Sequence, residues 1–118
     1  MSQLGGFFIP KYESPQQTIT AGGGLTLAHG LGVKPTLVFC EIVCITAEGV
    51  FSIGDTAIVP IGLYEADAHG VGVYPDATNL NIRFGDHVNV FLIFDKTNGA
   101  AFNIAPTKWK FVIRAWVL

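Results

Sequence analysis

The sequence is poor in charged residues, and this shortage excludes several classes of protein. Charged residues make up 14% of the 118 residues, against about 25% in an average soluble domain. The formal net charge is -2, so the chain lacks the basic surface that a nucleic-acid-binding protein presents. No apolar run approaches the roughly 18 residues that a membrane-spanning helix needs. We therefore expect no nucleic-acid partner and no membrane insertion.

Cysteine occurs only twice, as Cys40 and Cys44. Residues four apart in a strand share a face at a distance of about 13 Å, whereas a disulfide spans roughly 7 Å between Cα atoms. Neither thiol has a second cysteine or a histidine at a metal-binding spacing. We interpret both as small buried side chains. The first residues lack the basic segment of a secretory signal, so we expect synthesis and folding in a cytoplasm.

The sequence also lacks helical periodicity, since no window sustains apolar residues at spacings of 3, 4 and 7. Strand breakers are frequent instead: 14 glycines and 6 prolines are spread along the chain. Breakers at intervals of about 8 to 12 residues are typical of short strands in a sandwich or barrel. We predict an all-β fold, an antiparallel β-sandwich of about eight strands with a jelly-roll-like or related Greek-key topology. Residues 16–118 would form the sandwich and residues 1–15 an N-terminal arm.

Three segments define the predicted strands most clearly. Residues 36–46 are apolar on both faces, with Glu41 as the exception, which predicts a strand that lies either between two layers or at a subunit interface. Residues 57–63 contain Pro60, which marks an edge or a bulge. The apolar pattern of residues 88–95 predicts a deeply buried strand, and the Asn-Gly pair that follows predicts a hairpin.

Apolar residues make up 50% of the chain, which is more than the core of a small domain hides. We expect the excess to be covered by other subunits, in a homo-oligomer. The arm contributes to this excess through Phe7, Phe8 and Ile9, and it would pack on a neighbouring subunit or along the edge of its own domain. A compact monomer is the alternative.

The sequence offers few residues that could form a catalytic or metal site. The three histidines are His29, His69 and His87, and no pair has the spacing of a helical metal site. A site of two histidines and one carboxylate would need Asp55 or Asp76, and the sequence alone does not bring them together. No serine or thiol has an evident activating base. We expect no catalytic residues, no cofactor and no metal.

One strand offers a candidate ligand face. Asn79, Asn81 and Arg83 alternate with apolar residues and therefore share one side of a strand. Aromatic rings with amide and carboxylate partners suit sugar hydroxyls, so the face would bind a glycan. An ordinary solvated sheet face is the alternative, and the residues favour it. The full candidate set is Tyr74, Asp76, Asn79, Asn81, Arg83 and Trp109.

The segment His29-Gly30-Leu31-Gly32 reads as a structural corner. The two glycines supply positive φ or close backbone approach, and Leu31 would plug the core between them. Pro35 favours an extended entry into the next strand. We expect the ring nitrogens of His29 to form hydrogen bonds with backbone groups of this corner, since a buried polar group without partners destabilises the fold.

The ordered segments "QTIT", "LTLAHGLGVKP", "C.TAEGVFSIGD", "DATNLNIRFG" and a terminal "W…IRAW" resemble small virion proteins of tailed bacteriophages. The His-Gly-Leu-Gly-x-x-Pro corner is similar to one in C-terminal domains of phage tail fibres and in H-type-lectin-like sandwiches. The likeness covers most of residues 16–118. It implies a β-sandwich, homo-oligomeric assembly (a trimer is favoured), a structural or host-surface-binding role, and no catalysis.

The resemblance and the composition together lead to one functional expectation. The chain would be a non-enzymatic tail-fibre or tail-tip subunit, located in the virion, that assembles with itself and with other virion proteins. Contact with a host-surface glycan would be an additional role. A capsid decoration or head-fibre protein that cements the shell is the alternative.

Overall fold

The two longest strands, β4 (Leu37–Cys44) and β11 (Trp109–Trp116), lie side by side at the centre of the larger sheet. They pair antiparallel over their whole length, from Trp109 opposite Cys44 to Trp116 opposite Leu37. Both strands are rich in aromatic and β-branched residues, which fit a pleated and half-buried surface. The structure is a computed structural model in which residues 11–63 and 67–118 are described.

The remaining strands are short and are separated by tight turns, as the spacing of glycine and proline predicts. A 3₁₀ turn, Pro106–Lys108, precedes β11. In chain order these strands are β1 (Tyr12–Glu13), β2 (Gln17–Thr18), β3 (Gly24–Ala28), β5 (Thr56–Val59), β6 (Gly62–Leu63), β7 (Gly70–Pro75), β8 (Asn79–Phe84), β9 (Leu92–Phe94) and β10 (Ala101–Asn103).

The strands form antiparallel sheets, which confirms the predicted all-β class. The larger sheet has the order β1-β11-β4-β5, with β2 also paired to β11. The second sheet has the order β3-β8-β7-β6, and β9 and β10 form a separate hairpin. The described residues contain more strands than the eight expected. One reason is that the predicted strand 57–63 divides at Pro60 into β5 and β6, which belong to different sheets.

A common core joins the two large sheets. Phe84 of β8 and Phe111 of β11 meet edge to face with ring centroids 5.1 Å apart, and such pairs stabilise beyond the area they bury. Leu80 and Ile42 are fully buried in the same cluster. Side chains from both sheets therefore interdigitate, so the architecture is sandwich-like.

Within one chain, β4 is buried on its inner face and not between two layers, and a subunit interface on its outer face stays a prediction. Cys40, Ile42 and Cys44 are buried on the inner face, but Leu37 is 50% exposed at the other end of the strand. Glu41 lies on the outer face and accepts a hydrogen bond of 2.8 Å from Arg114 of β11. The outer face is thus half-buried and carries an ion pair, and a second layer of described residues does not cover it.

The predicted deep strand 88–95 is also shorter than expected. Only Leu92–Phe94 is a strand, because the chain turns tightly before it: the Val90 N–H donates to the His87 carbonyl at 2.9 Å. Val90 and Phe91 are nevertheless fully buried, so the apolar pattern marked burial correctly but not conformation. The Asn98-Gly99 hairpin is confirmed, with Gly99 at φ +75° and β10 returning along β9.

The predicted arm divides into a described and an undescribed part. Phe7, Phe8 and Ile9 lie outside the described residues. Residues 11–15 are part of the larger sheet, since the Lys11 N–H donates to the Ala115 carbonyl and the Ser14 N–H to the Ile113 carbonyl. The sheet therefore begins before residue 16.

Candidate functional site

The histidine corner is held together by His29 itself, which is 4% exposed. Its Nδ1 accepts the Leu31 N–H at 3.0 Å, so the ring proton lies on Nε2, which donates to the Asp76 carbonyl at 2.8 Å. Gly30 and Gly32 both have positive φ, +67° and +78°, a conformation that favours glycine. Both ring nitrogens therefore bond to backbone groups, and His29 ties the turn after β3 to the turn between β7 and β8.

The carboxylate of Asp76 organises that second turn. Its Oδ1 accepts the backbone N–H groups of Asn79 (2.7 Å) and Thr78 (2.9 Å), and its Oδ2 accepts the Asn81 amide at 2.9 Å. These bonds, with that from the Asn79 N–H the strongest, lower the pKa of Asp76 below its ordinary value. Asp76 is thus engaged in forming the turn, which matches the ordinary use of aspartate in turns.

The candidate ligand face is a shallow groove across β3, β8 and β7, with a volume of about 510 Å³. Tyr74 (66% exposed), Asn81 and Arg83 line it. Two glycines make room for these side chains. A Cβ on Gly24 would lie 2.9 Å from the Arg83 guanidinium, and one on Gly72 would lie 2.7 Å from the Tyr74 hydroxyl. The face thus presents a phenol, an amide and a guanidinium over a flat backbone.

The structure does not bring Trp109 to this face. Trp109 is 1% exposed in the core of the larger sheet, and its Nε1 donates to Glu48 Oε1 at 2.9 Å. Asn79 is half-buried at the end of β8, opposite Ala28. The six residues predicted for this face therefore separate into five near β8 and one in the core.

A second and larger groove lies between the edge strand β5 and the β9–β10 hairpin, with a volume of about 880 Å³. Phe51, Ala57 and Ile93 line it, among other residues, and Ile58 and Phe94 stand at its rim, 70% and 77% exposed. At one side, Lys96 Nζ lies 2.6 Å from Asp55 Oδ2.

The edge of β5 that borders this groove has no strand partner among residues 11–63 and 67–118. An edge strand with apolar neighbours and unpaired N–H and C=O groups is a template for pairing with another chain. Pro60 ends β5, which limits this edge to a short segment. We call this surface, formed by β5 and the β9–β10 hairpin, the β5 groove.

The two remaining histidines form a cluster that sequence reasoning missed. His69 Nδ1 lies 2.8 Å from Asp67 Oδ1, and His87 Nε2 lies 3.4 Å from Asp67 Oδ2. The imidazole rings stack with centroids 3.7 Å apart. His69 is 3% exposed, and its Nε2 lies 2.8 Å from Asn103 Oδ1. We call Asp67, His69 and His87 the imidazole cluster.

A signal for the imidazole cluster existed in the sequence. The turn at Pro75-Asp76 predicts that β7 and β8 pair as a hairpin, and the observed register places Val71 opposite Phe84. Continuing that ladder outward brings residues 69 and 87 to the same end of the sheet. Asp55 and Asp76, the carboxylates that we considered, lie in the β5 groove and in the His29 corner instead.

Backbone strain is concentrated around the imidazole cluster. Among the described residues other than glycine, positive φ values occur at Ala68 (+68°) and Val90 (+65°). Ala68 lies between Asp67 and His69 in the sequence. Val90 follows Asn89, whose backbone N–H donates to His87 Nδ1 at 3.1 Å. A β-branched residue in this region is a genuine outlier, and such strain tends to accumulate at functional sites.

Comparison of the chain with protein-family models and with curated proteins gives no match. Among the described residues, no helix has the length and apolar character to cross a membrane.

Proposed function

We propose that this chain is a non-enzymatic structural subunit of a tailed-phage particle, a component of the tail fibre or tail tip that assembles with copies of itself and with other virion proteins. The β5 groove is the observation that carries the proposal. It combines exposed apolar side chains with an open strand edge, which is the combination that stabilises subunit contacts. The sequence resemblance supplies the phage context.

Covering the rim of the groove would contribute substantial free energy. Ile58 and Phe94 are 70% and 77% exposed, and burying a large apolar side chain contributes about 1.5 to 3 kcal/mol. An added strand would also pair with the open edge of β5. Both gains are available to a partner that arrives as an extended, apolar segment.

We propose residues 1–10 of a neighbouring copy as that segment. They contain Phe7, Phe8 and Ile9, which match the apolar groove, and at about 3.3 Å per residue they reach roughly 33 Å. The segment joins the sheet at Lys11, beside β11. The order β1-β11-β4-β5 places the open edge of β5 on the other side of the same sheet. A contact from one edge to the opposite edge of the next copy is head-to-tail, and such contacts close into rings such as trimers.

The test is the oligomeric state of purified protein by light scattering and sedimentation. Wild type should form a closed oligomer at micromolar concentration. Ile58→Lys and Phe94→Glu should each weaken assembly by about 10- to 100-fold, because each removes an apolar side chain that the partner would bury and introduces a charge in its place. Val88→Lys is the matched control, since Val88 is 75% exposed outside the lining of the groove. It should leave assembly unchanged. A wild-type monomer, or Ile58→Lys with wild-type assembly, would refute the proposal.

Deletion of residues 2–9 identifies the occupant of the groove. Lys11 and Ser14 stay in place, because they bond to β11. Loss of the oligomer supports exchange of this segment between copies. An oligomer that survives the deletion, but still requires Ile58, would show that another surface fills the groove.

The position in the particle requires a separate observation. Labelled protein imaged on intact particles should lie at the tail. Label on the shell would instead support the alternative, a decoration protein that cements the capsid through the same groove.

A host-surface contact is a second proposed role, and the groove lined by Tyr74, Asn81 and Arg83 favours it. Aromatic and polar groups in one shallow site suit a sugar ring, which offers apolar faces and hydroxyls. On a glycan array, wild-type binding should disappear in Tyr74→Ala and Arg83→Ala. An array without any binder would remove this role and leave the structural proposal intact.

A further inference from the structure

We propose that the imidazole cluster is a zinc site, in which Asp67, His69 and His87 supply one oxygen and two nitrogen ligands. The three ligand atoms lie within 4.8 Å of one another. The site lies apart from the lining of the β5 groove, so the inference does not depend on the proposed function.

The spacing of the ligand atoms suits a small divalent ion. In the tetrahedral geometry that zinc prefers, bonds of about 2.0 to 2.1 Å place neighbouring ligand atoms roughly 3.3 to 3.4 Å apart. His69 Nδ1 lies 2.8 Å from Asp67 Oδ1, and His87 Nε2 lies 3.4 Å from the other carboxylate oxygen, Oδ2. Since no pair exceeds 4.8 Å, closure around an ion requires a shift of at most about 1.5 Å. His87, the more exposed of the two histidines, is the ring that can tilt.

The hydrogen bonding of His69 orients a lone pair toward this point. When its Nε2–H donates to Asn103 Oδ1, at 2.8 Å, Nδ1 faces Asp67 Oδ1 at the same distance. In that tautomer, the Nδ1 lone pair points to the position that an ion bound to Asp67 would occupy. An amide that holds the distal nitrogen of a ligating histidine is the outer-shell arrangement typical of metal sites.

His87 must change its bonding to act as the third ligand. Its Nδ1 accepts the Asn89 N–H at 3.1 Å, so in the neutral ring the proton lies on Nε2, toward Asp67. Coordination through Nε2 moves that proton to Nδ1 and breaks the bond from Asn89. The loss of one hydrogen bond lowers the affinity by about tenfold. It also gives zinc binding a specific signature at the Asn89 amide.

The surroundings are built for a fixed geometry. The Asn89 side chain donates to the Ile104 carbonyl at 2.8 Å, and the Gly70 N–H donates to the Val90 carbonyl at 2.8 Å. The strained residue Val90 is thus held by the first residue of β7, and the carbonyl of the strained residue Ala68 accepts the His87 N–H at 3.3 Å. Two histidines and a carboxylate form a borderline-soft donor set, which favours zinc over magnesium or calcium.

Titration of the full chain with zinc chloride, followed by calorimetry, tests the proposal. We expect one zinc ion per chain and a higher melting temperature with zinc, but no shift with magnesium. Asp67→Asn and His87→Ala should each weaken zinc binding by at least 10- to 100-fold, the loss that removal of an outer-shell partner alone produces. Neither residue is in the core, so both variants should fold. Circular dichroism without zinc verifies this.

Asp86→Asn is the matched control, because Asp86 is an exposed carboxylate next to His87 in sequence and outside the cluster. It should bind zinc as wild type does. In the amide spectrum, zinc should shift the Asn89 resonance in wild type and not in His87→Ala. The absence of saturable binding at micromolar zinc would overturn the proposal. Unchanged affinity in both cluster variants would overturn it as well.

Discussion

Replacing His29 with alanine tests whether the histidine corner is architecture or a binding element. The substitution removes both ring contacts, one from the Leu31 N–H and one to the Asp76 carbonyl. The two backbone groups belong to two turns at the same end of β8, one after β3 and one between β7 and β8. Loss of these two hydrogen bonds should therefore loosen the contact between the turns without directly altering the candidate ligand face.

The expected cost follows from the two contacts and from the burial of the ring. Each backbone group left without a partner costs about 1 to 3 kcal/mol, and the lower end applies because both bonds are only partly buried. With the packing lost around a ring that is 4% exposed, the total is about 2 to 4 kcal/mol. For a domain of this size, that lowers the melting temperature by roughly 8 to 16 °C.

Two conservative variants separate the contacts. In His29→Asn, the side-chain oxygen takes the position of Nδ1 and retains the bond from Leu31. In His29→Gln, the side-chain amide takes the position of Nε2 and retains the bond to Asp76. Each should recover part of the stability that His29→Ala loses. Denaturant unfolding gives the free energy for all three.

The reasoning fails if His29→Ala lowers the free energy of unfolding by less than about 0.5 kcal/mol, the ordinary range of a neutral surface substitution. It also fails if the variant is fully stable but loses a ligand that wild type binds. In that case, the histidine would be a binding residue and the corner would hold without it.

Two further predictions concern titration and thiol chemistry. Because the folded-state pKa of Asp76 is lowered, chiefly by the Asn79 N–H, its carboxylate stabilises the fold above the unfolded-state pKa, and this contribution is lost as pH falls through the lower folded value. The difference in melting temperature between wild type and Asp76→Asn should therefore shrink as pH falls below about 4, and a constant difference would contradict the assignment. Burial raises the pKa of Cys40 to about 12, so a thiol-reactive dye at mildly alkaline pH should label it only after unfolding in denaturant; rapid labelling of the native protein would show that the inner face of β4 is open.

The strands near a glycine, proline or Asn-Gly turn could be predicted from the sequence, because these residues act through local backbone geometry. The Asn98-Gly99 hairpin and β8, with its alternating Leu80, Ile82 and Phe84, are examples. The segment around Val90 could not, because its tight turn depends on bonds to residues that are distant in sequence, such as Gly70. Apolar side chains there indicated burial, and burial alone does not specify an extended strand.

The candidate sites show the same division. The candidate ligand face along β8 could be predicted from the sequence, because alternation places Asn79, Asn81 and Arg83 on one side of a single strand. No local pattern places Trp109 on that face, and its indole, buried in the larger sheet, donates to Glu48 in the turn between β4 and β5 instead.

Local pattern therefore determined the all-β class, the glycine turn of the His29 corner and the polar side of β8, because each depends on neighbours within a few residues. The bond from His29 to the Asp76 carbonyl depends on the tertiary structure. Tertiary structure alone decided which edge remains open and which side chains meet across the sheets. The β5 groove exists because β5 ends a sheet whose order the sequence does not state. The β7–β8 hairpin places residues 69 and 87 at one end of the sheet, but the stacked contact of His69 and His87 forms beyond the ladder and depends on the tertiary structure. Contacts of this kind depend on the register between strands, which no short segment of the sequence contains.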